Sequence, residues 1–290
     1  MTLETPMRCS ALAESLHEPL SGTVEQRTRW LLLEDRGAWG TDAVKDLFGT
    51  DAAARAKQLG LRLLLVRRRE GDPAADTERR AMLIDTVSGE MAVRIVGGPS
   101  DLSIEAAAGD PVASFGAPTA EPLFLVCTNG KRDACCALRG RALMTALCVA
   151  HADSVWECTH LGGHRFAGNL VCLPDGIVYG RVSALDGPSL VDAYLAGRVD
   201  AASLRGRSAW PAPAQVAEVR LRQRLDLTGV DDVRLVDVSV RGDAAEVALA
   251  TVDGESHRLM LRAERSAPPR PTSCRADELE EPAHWVVAEV

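Results

Sequence analysis

One order of elements occurs twice in this chain, and it leaves few folds open. Residues 29–33 (RWLLL) read as a strand, followed by the turn EDRGAWG and a helical pattern from Thr41 to about Gln58, with Thr41 or Asp42 as its cap. LRLLLVRR at 61–68 reads as a buried strand, REGDPAADTE as a loop, and AMLIDTVSGEMAVRIV at 81–96 as two strands about a Ser88-Gly89 turn. About 90 residues on, the succession returns. PLFLVC (122–127) is a strand, Asp133 caps a helix through CCALRGRALMTALCVAH, and SVWEC (154–158) is a second strand. NLVCLPDGIVYGRV (169–182) is then a hairpin turning at Pro174-Asp175-Gly176. A further helix, DGPSLVDAYLAGR (186–198), ends near Gly197. Identity between the copies is negligible, so the repeat rests on element order alone.

With its final helix, the second copy has the thioredoxin-like order: β-α-β and then β-β-α in one mixed sheet. The overall expectation is an α/β (α+β) chain in three parts. Residues 1–110 are a degenerate thioredoxin-like half, 111–210 the thioredoxin-like domain proper, and 211–290 a small α+β segment. The boundary near residue 110 falls in GGPSDLSIEAAAGDPVASFGAPTAEP (97–122), whose Gly, Pro and Ser content reads as a linker or belt. The third part starts with an amphipathic helix at 215–229. Three alternating strands follow, PPRPTSC is extended, and HWVVAEV adds a last strand.

A length of 290 residues accommodates about two domains at roughly 100–200 residues each. The net charge of −8 argues against a nucleic-acid partner. RRRE (67–70) and RLRQR (220–224) are short basic runs and read as solvated faces. The start of the chain has no apolar h-region, and the longest apolar run, LRLLLV, is far short of the ~20 residues that span a bilayer. Eight cysteines spread over this length do not make a secreted disulfide scaffold, so the expected compartment is the cytoplasm, with no membrane partner.

The chemistry gathers in two loops of the second copy. Cys127 ends a strand and Cys136 lies in the first turn of the next helix, where the helix dipole favours the thiolate that ligates metal. Cys135 is the rival ligand, but adjacent residues in a helix turn point roughly 100° apart, so one of the two faces the site. His160 and His164 share the spacing of helical zinc-protease motifs, yet Leu161-Gly162-Gly163 between them disfavours helix and there is no glutamate base. The two glycines suit a tight loop whose N–H groups point at a ligand. Two thiols and two imidazoles are a donor set for an iron–sulfur centre or for zinc. Cys148, Cys158 and Cys172 read as small packing residues. His17, His151 and His257 read as structural or exposed, and Cys274 and His284 as isolated.

CTNGKRDACCALRGRAL and VWECTHLGGHRFAGNLVCLPDGIVYGRV resemble the sucrase/ferredoxin-like family. LLLEDRGAWG and RGRSAWP also resemble family segments. The resemblance implies that 111–210 is a thioredoxin-like ferredoxin domain. It also implies a [2Fe–2S] cluster held by a C-x8-C loop, here Cys127 and Cys136, and an H-x3-H loop, here His160 and His164. Family members often carry His where Asn129 stands, a position outside the ligand set. No carboxylate pair suited to a glycosidic bond is discernible.

The implied protein is an electron carrier rather than a stand-alone enzyme. No dinucleotide fingerprint, P-loop or nucleophile elbow is present, so a separate reductase and a separate acceptor are expected. Lys131-Arg132 and Arg165 are candidate docking charges for an acidic partner. The alternatives are a structural zinc site in an interaction module and, last, a thiol oxidoreductase, for which the C-x-x-C motif is missing. Two thiolates leave an oxidised two-iron core neutral where four leave it dianionic, which raises the potential, as in Rieske centres. The expected outcome is a midpoint potential that falls with pH where His160 and His164 titrate, followed by redox titration at stepped pH. A potential flat to the highest accessible pH counts against histidine ligation.

Overall fold

A computed structural model of the chain describes residues 7–68 and 78–288. The loop expected at 69–78 lies, apart from Glu78, outside the described residues. The strands of the first half are β1 (Arg29–Glu34), β2 (Leu61–Arg67), β3 (Arg79–Asp85), β4 (Glu90–Val96) and β5 (Ala117–Pro118). Those of the second are β6 (Leu123–Cys127), β7 (Val155–Cys158), β8 (Leu170–Leu173), β9 (Ile177–Tyr179) and β10 (Leu204–Arg207). All ten form one mixed sheet in the order β10-β9-β8-β6-β7-β2-β1-β3-β4-β5.

Each half repeats one pairing scheme. β1 runs parallel to β2 and antiparallel to β3, which pairs antiparallel with β4. β6 runs parallel to β7 and antiparallel to β8, which pairs antiparallel with β9. The halves join edge to edge where β2 and β7 pair antiparallel, Val66 opposite Cys158 and Arg67 opposite Glu157.

Alternation along the strands sorts the apolar side chains between the two faces. Trp30, Leu32, Leu64, Val66, Met82, Leu125, Cys127, Trp156 and Cys158 share one cluster that crosses the junction. On the opposite face, Leu31, Leu33, Leu63 and Leu65 pack against the helices of the first half, α2 (Ala43–Phe48), α3 (Thr50–Gln58) and α4 (Ile104–Gly109). Phe124, Val126, Leu170 and Tyr179 pack against the helices of the second, α5 (Ala134–His151) and α6 (Gly187–Leu195).

Three details differ from expectation. The helix foreseen over 41–58 is split at Gly49, whose φ of +86° no helix contains. The stretch 97–122 is more than a linker: α4 is capped by Ser103, whose Oγ accepts from the Ala106 N–H, and β5 adds to β4. Thus the first half has a closing helix as the second does. Finally β10, with sequence LRGR, lacks any apolar alternation, yet Arg205 and Arg207 are both buried.

Beyond β10, α7 (Ala212–Leu225) packs on an antiparallel sheet of β11 (Val233–Arg241), β12 (Ala244–Thr251), β13 (Ser256–Arg265) and β14 (Ala283–Val287). The joint between this segment and the main sheet is polar. Glu218 Oε1 accepts from Arg207 Nε (2.9 Å) and from Arg222 Nε (3.0 Å), all three side chains being buried. Arg222 also donates to the carbonyls of Gly229 and Val230 at 2.8 and 3.0 Å. Removing one partner from such a group leaves uncompensated charge in a dry interior. Glu218→Ala is therefore expected to cost about 3–5 kcal/mol. Urea unfolding checks this, and a loss below about 1 kcal/mol, as for an exposed pair, refutes it.

Candidate metal centre

Both loops foreseen as ligand-bearing lie at one end of the sheet. Cys127 is the last residue of β6, and the chain turns over Asn129, whose carbonyl accepts from the N–H groups of Arg132 and Asp133. Asp133 then starts α5, its Oδ1 accepting from the Cys135 N–H at 2.9 Å. α5 passes very close to β6, because a Cβ on Gly140 would stand 2.1 Å from the Cys127 carbonyl oxygen. Glycine there is what lets the helix bring Cys136 alongside Cys127.

The histidines follow β7 on a loop that turns through Gly162 (φ +88°) and Gly163 (φ +69°). Their rings stack, with centroids 4.0 Å apart and planes 10° off parallel. Sγ of Cys127, Sγ of Cys136 and a ring nitrogen of His160 all lie within 4.8 Å of one another. Nδ1 of His164 is 3.8 Å from the Cys136 Sγ. The structure thus brings Cys127, Cys136, His160 and His164 together, and it sends Cys135 the other way, toward Cys9 and Cys274.

Much of what holds these loops comes from elsewhere in the chain. Arg205 of β10 lies under the histidine loop, donating to Asn169 Oδ1 (2.7 Å) and to the Thr23 carbonyl (2.6 Å). Burial, with Arg165 nearby, pulls its guanidinium down to about 9. From β2, Arg62 donates to the His160 carbonyl at 2.7 Å. Asn129 Nδ2 donates to the Gly40 carbonyl at 3.1 Å, so this position ties the cysteine loop to the end of LLLEDRGAWG. Arg165, beside His164, turns inward onto buried Glu18 at 2.5 Å. Arg132 pairs with Asp42 near the surface, and Lys131 is exposed. Of the three foreseen docking charges, Lys131 and Arg132 face outward and Arg165 does not.

The electrostatics suit ligation. Cys127 is held well below the ordinary thiol range by the Cys136 thiol, against the effect of burial, with His160 and the Leu161 N–H adding to the pull. Cys136 is pushed up by its hydrogen bond to Cys127 and by burial, the opposite of the lowering expected from its place at the start of α5. Burial, with the charge of His160, brings His164 down to about 4, which leaves a neutral imidazole at neutral pH. Next to Cys127, the Thr128 hydroxyl is buried with no hydrogen-bond partner among the described residues. This donor set and its surroundings fit a thiolate–imidazole metal centre.

The remaining cysteines divide. Cys158 and Cys172 are buried in apolar clusters, their thiols pushed up by burial, as packing residues are. Cys274 is not isolated as its sequence surroundings imply: it meets Cys135 at 3.3 Å and Cys9 at 3.6 Å. No local signal marks Cys9 or Cys274, because each is alone in its own segment.

The sucrase/ferredoxin-like family profile matches residues 20–206, which covers Cys127, Cys136, His160, His164 and both of their loops. The chain belongs to the sucrase/ferredoxin-like family. Two curated relatives share its sequence in part, both named "Altered inheritance of mitochondria protein 32". The one from Eremothecium gossypii is 33% identical over 135 residues, 41% of this chain and 41% of the relative. The one from Meyerozyma guilliermondii is 33% identical over 85 residues, 26% of this chain and 30% of the relative. The chain therefore covers well under two thirds of those relatives' length. No solved structure matches. No helix among the described residues is long and apolar enough to cross a membrane.

The glycines of the histidine loop differ in their surroundings. A Cβ on Gly163 would stand 2.4 Å from Arg205 Nη2, whereas one on Gly162 would meet nothing within 4 Å. Both positions carry the backbone penalty of alanine at positive φ, more than about 1 kcal/mol. Gly163→Ala also has to displace a buried guanidinium. It is expected to lower thermal stability more than Gly162→Ala and to weaken metal retention. Equal effects in melting curves and metal analysis would show that Arg205 does not fix the loop.

Proposed function

We propose that this protein is an electron carrier with one [2Fe–2S] cluster held by Cys127, Cys136, His160 and His164. The observation that carries the reading is the convergence of two thiols and two imidazoles at one end of the sheet, inside the region matched by a ferredoxin-like family. A cluster bound there supplies one-electron transfer at a potential above that of all-cysteine ferredoxins.

The chain's own residues have three tasks in this reading. Cys127 and Cys136 bind from buried positions that exclude water. His160 and His164 bind nearer the surface, each with a second ring nitrogen that holds or releases a proton as charge changes. Arg62, Arg205 and Asn129 orient the two loops. His160 also lines a surface cleft with Lys57, Arg62, Arg132 and Glu25, a mainly basic surround suited to an acidic reductase or acceptor. We place this work in the cytoplasm, on the dispersed spacing of the eight cysteines along the sequence. The names of the relatives link those proteins to mitochondrial inheritance.

One observation favours a second reading, a single structural zinc. Three donor atoms within 4.8 Å of one another, and the fourth 3.8 Å from Cys136, are compact enough for one tetrahedral ion. Anaerobic purification separates the two. The expected protein is coloured, with iron and acid-labile sulfide in equal amounts. His160→Cys and His164→Cys are expected to keep the colour and lower the potential. A colourless wild type with stoichiometric zinc at these four residues would replace the first reading by the second.

A further inference from the structure

We propose that Cys9, Cys135 and Cys274, with Asp133, form a second metal site that binds one zinc ion and fastens both terminal segments to the start of α5. The three sulfurs form a nearly regular triangle: Cys9 to Cys135 3.6 Å, Cys135 to Cys274 3.3 Å, Cys274 to Cys9 3.6 Å. Zinc–sulfur bonds of about 2.3 Å in tetrahedral geometry put thiolates about 3.8 Å apart, close to these edges. A disulfide joins two sulfurs at about 2.05 Å and leaves the third without a role, so it explains one edge of the triangle and not three. An iron–sulfur cluster spreads its thiolates over separate irons, which edges this short do not allow.

The donor set narrows the metal. An Asp133 oxygen lies within 4.8 Å of all three sulfurs. Three thiolates favour soft ions such as copper(I) and zinc, and a carboxylate in the same set favours zinc. Asp133 is already fixed: Oδ1 accepts from the Cys135 N–H, and Oδ2 from the Cys274 N–H and the Ser273 hydroxyl, each at 2.9 Å. It therefore orients two of the three cysteines through their own backbone. Cys9 and Cys135 are buried, and Cys274 closes the site from the solvent side. On binding, the thiols lose their protons to solvent.

The location argues the same way. Cys9 begins α1 (Cys9–Ser15), a helix of seven residues, and Cys274 lies in residues 266–282, which hold no helix or strand beyond a single bridge from Arg270 to Glu280. A stretch of this length without regular structure needs something to hold it. Hydrogen bonds from Cys274 to Asp133 and from Arg270 to Glu18 already tie it, and one ion joining three thiols from segments 126, 139 and 265 positions apart in the chain would add a direct tie between them.

The test is metal analysis of the full chain as purified, without chelator. Beside its iron, the wild type is expected to hold one zinc. Cys9→Ser and Cys274→Ser are expected to lose that zinc while keeping iron and visible absorption. A His160→Ala/His164→Ala variant should do the reverse. Should the four-residue centre itself hold zinc, the wild type carries two and the double histidine variant one, so failure of the cluster reading stays distinguishable. In case the serine variants do not fold, the double histidine variant is titrated with cobalt(II) after reduction. Thiolate-to-cobalt charge-transfer bands are expected, and their absence overturns the proposal. It is equally overturned by wild-type zinc that survives both serine substitutions, or by a non-reduced mass two hydrogens low that maps to a disulfide among these three cysteines.

Discussion

The antiparallel pairing of β2 with β7 is the contact on which the rest of this molecule depends. Each strand is the outer member of its own five-stranded half, and an unpaired edge invites pairing with other chains. Joining them removes both edges at once and merges one apolar face of each half into a single cluster. It also carries the end of β7 up against the first half: Thr159 exchanges hydrogen bonds with Leu65, and Arg62 reaches the His160 carbonyl. The histidine loop thus belongs to the second half by sequence and to both halves by support.

Around the site, several buried polar side chains have partners in the loops, the Thr128 hydroxyl being an exception among the described residues. Arg205, Asn129, Glu18 and Asp133 are all nearly inaccessible, and each is hydrogen-bonded to a loop that presents a ligand or to its immediate neighbour. Such groups hold a loop in one geometry because any other leaves a charge or amide unpaired in a dry environment. The close passages at Gly140 and Gly163 have the same effect by steric means.

What was legible in the sequence was what is local. Strands with alternating or continuous apolar residues, the Asp133 cap and the two ligand spacings each lie within one short segment, and the structure has these strands and this helix in nearly those places. The repeated pairing of the two halves was legible only as an order of elements. β10 escaped because its two arginines hide a buried strand behind a polar sequence, and the arginines become intelligible only with Glu218 and Asn169 beside them. The triad of Cys9, Cys135 and Cys274 escaped because its members are brought together by the fold alone.

Glu18 sits deep in this arrangement, accepting from Arg165 on one oxygen and from Arg270 on the other. The region matched by the family profile begins two residues later. A fragment trimmed to that region would retain Arg165 beside His164 but lose the carboxylate that neutralises it. Two further anchors would go with it, the carbonyls of Ala13 and Glu18 that receive Arg181. The working unit of this fold is therefore longer than its recognisable signature, and the residues just after α1 are part of the electrostatic wiring of the centre.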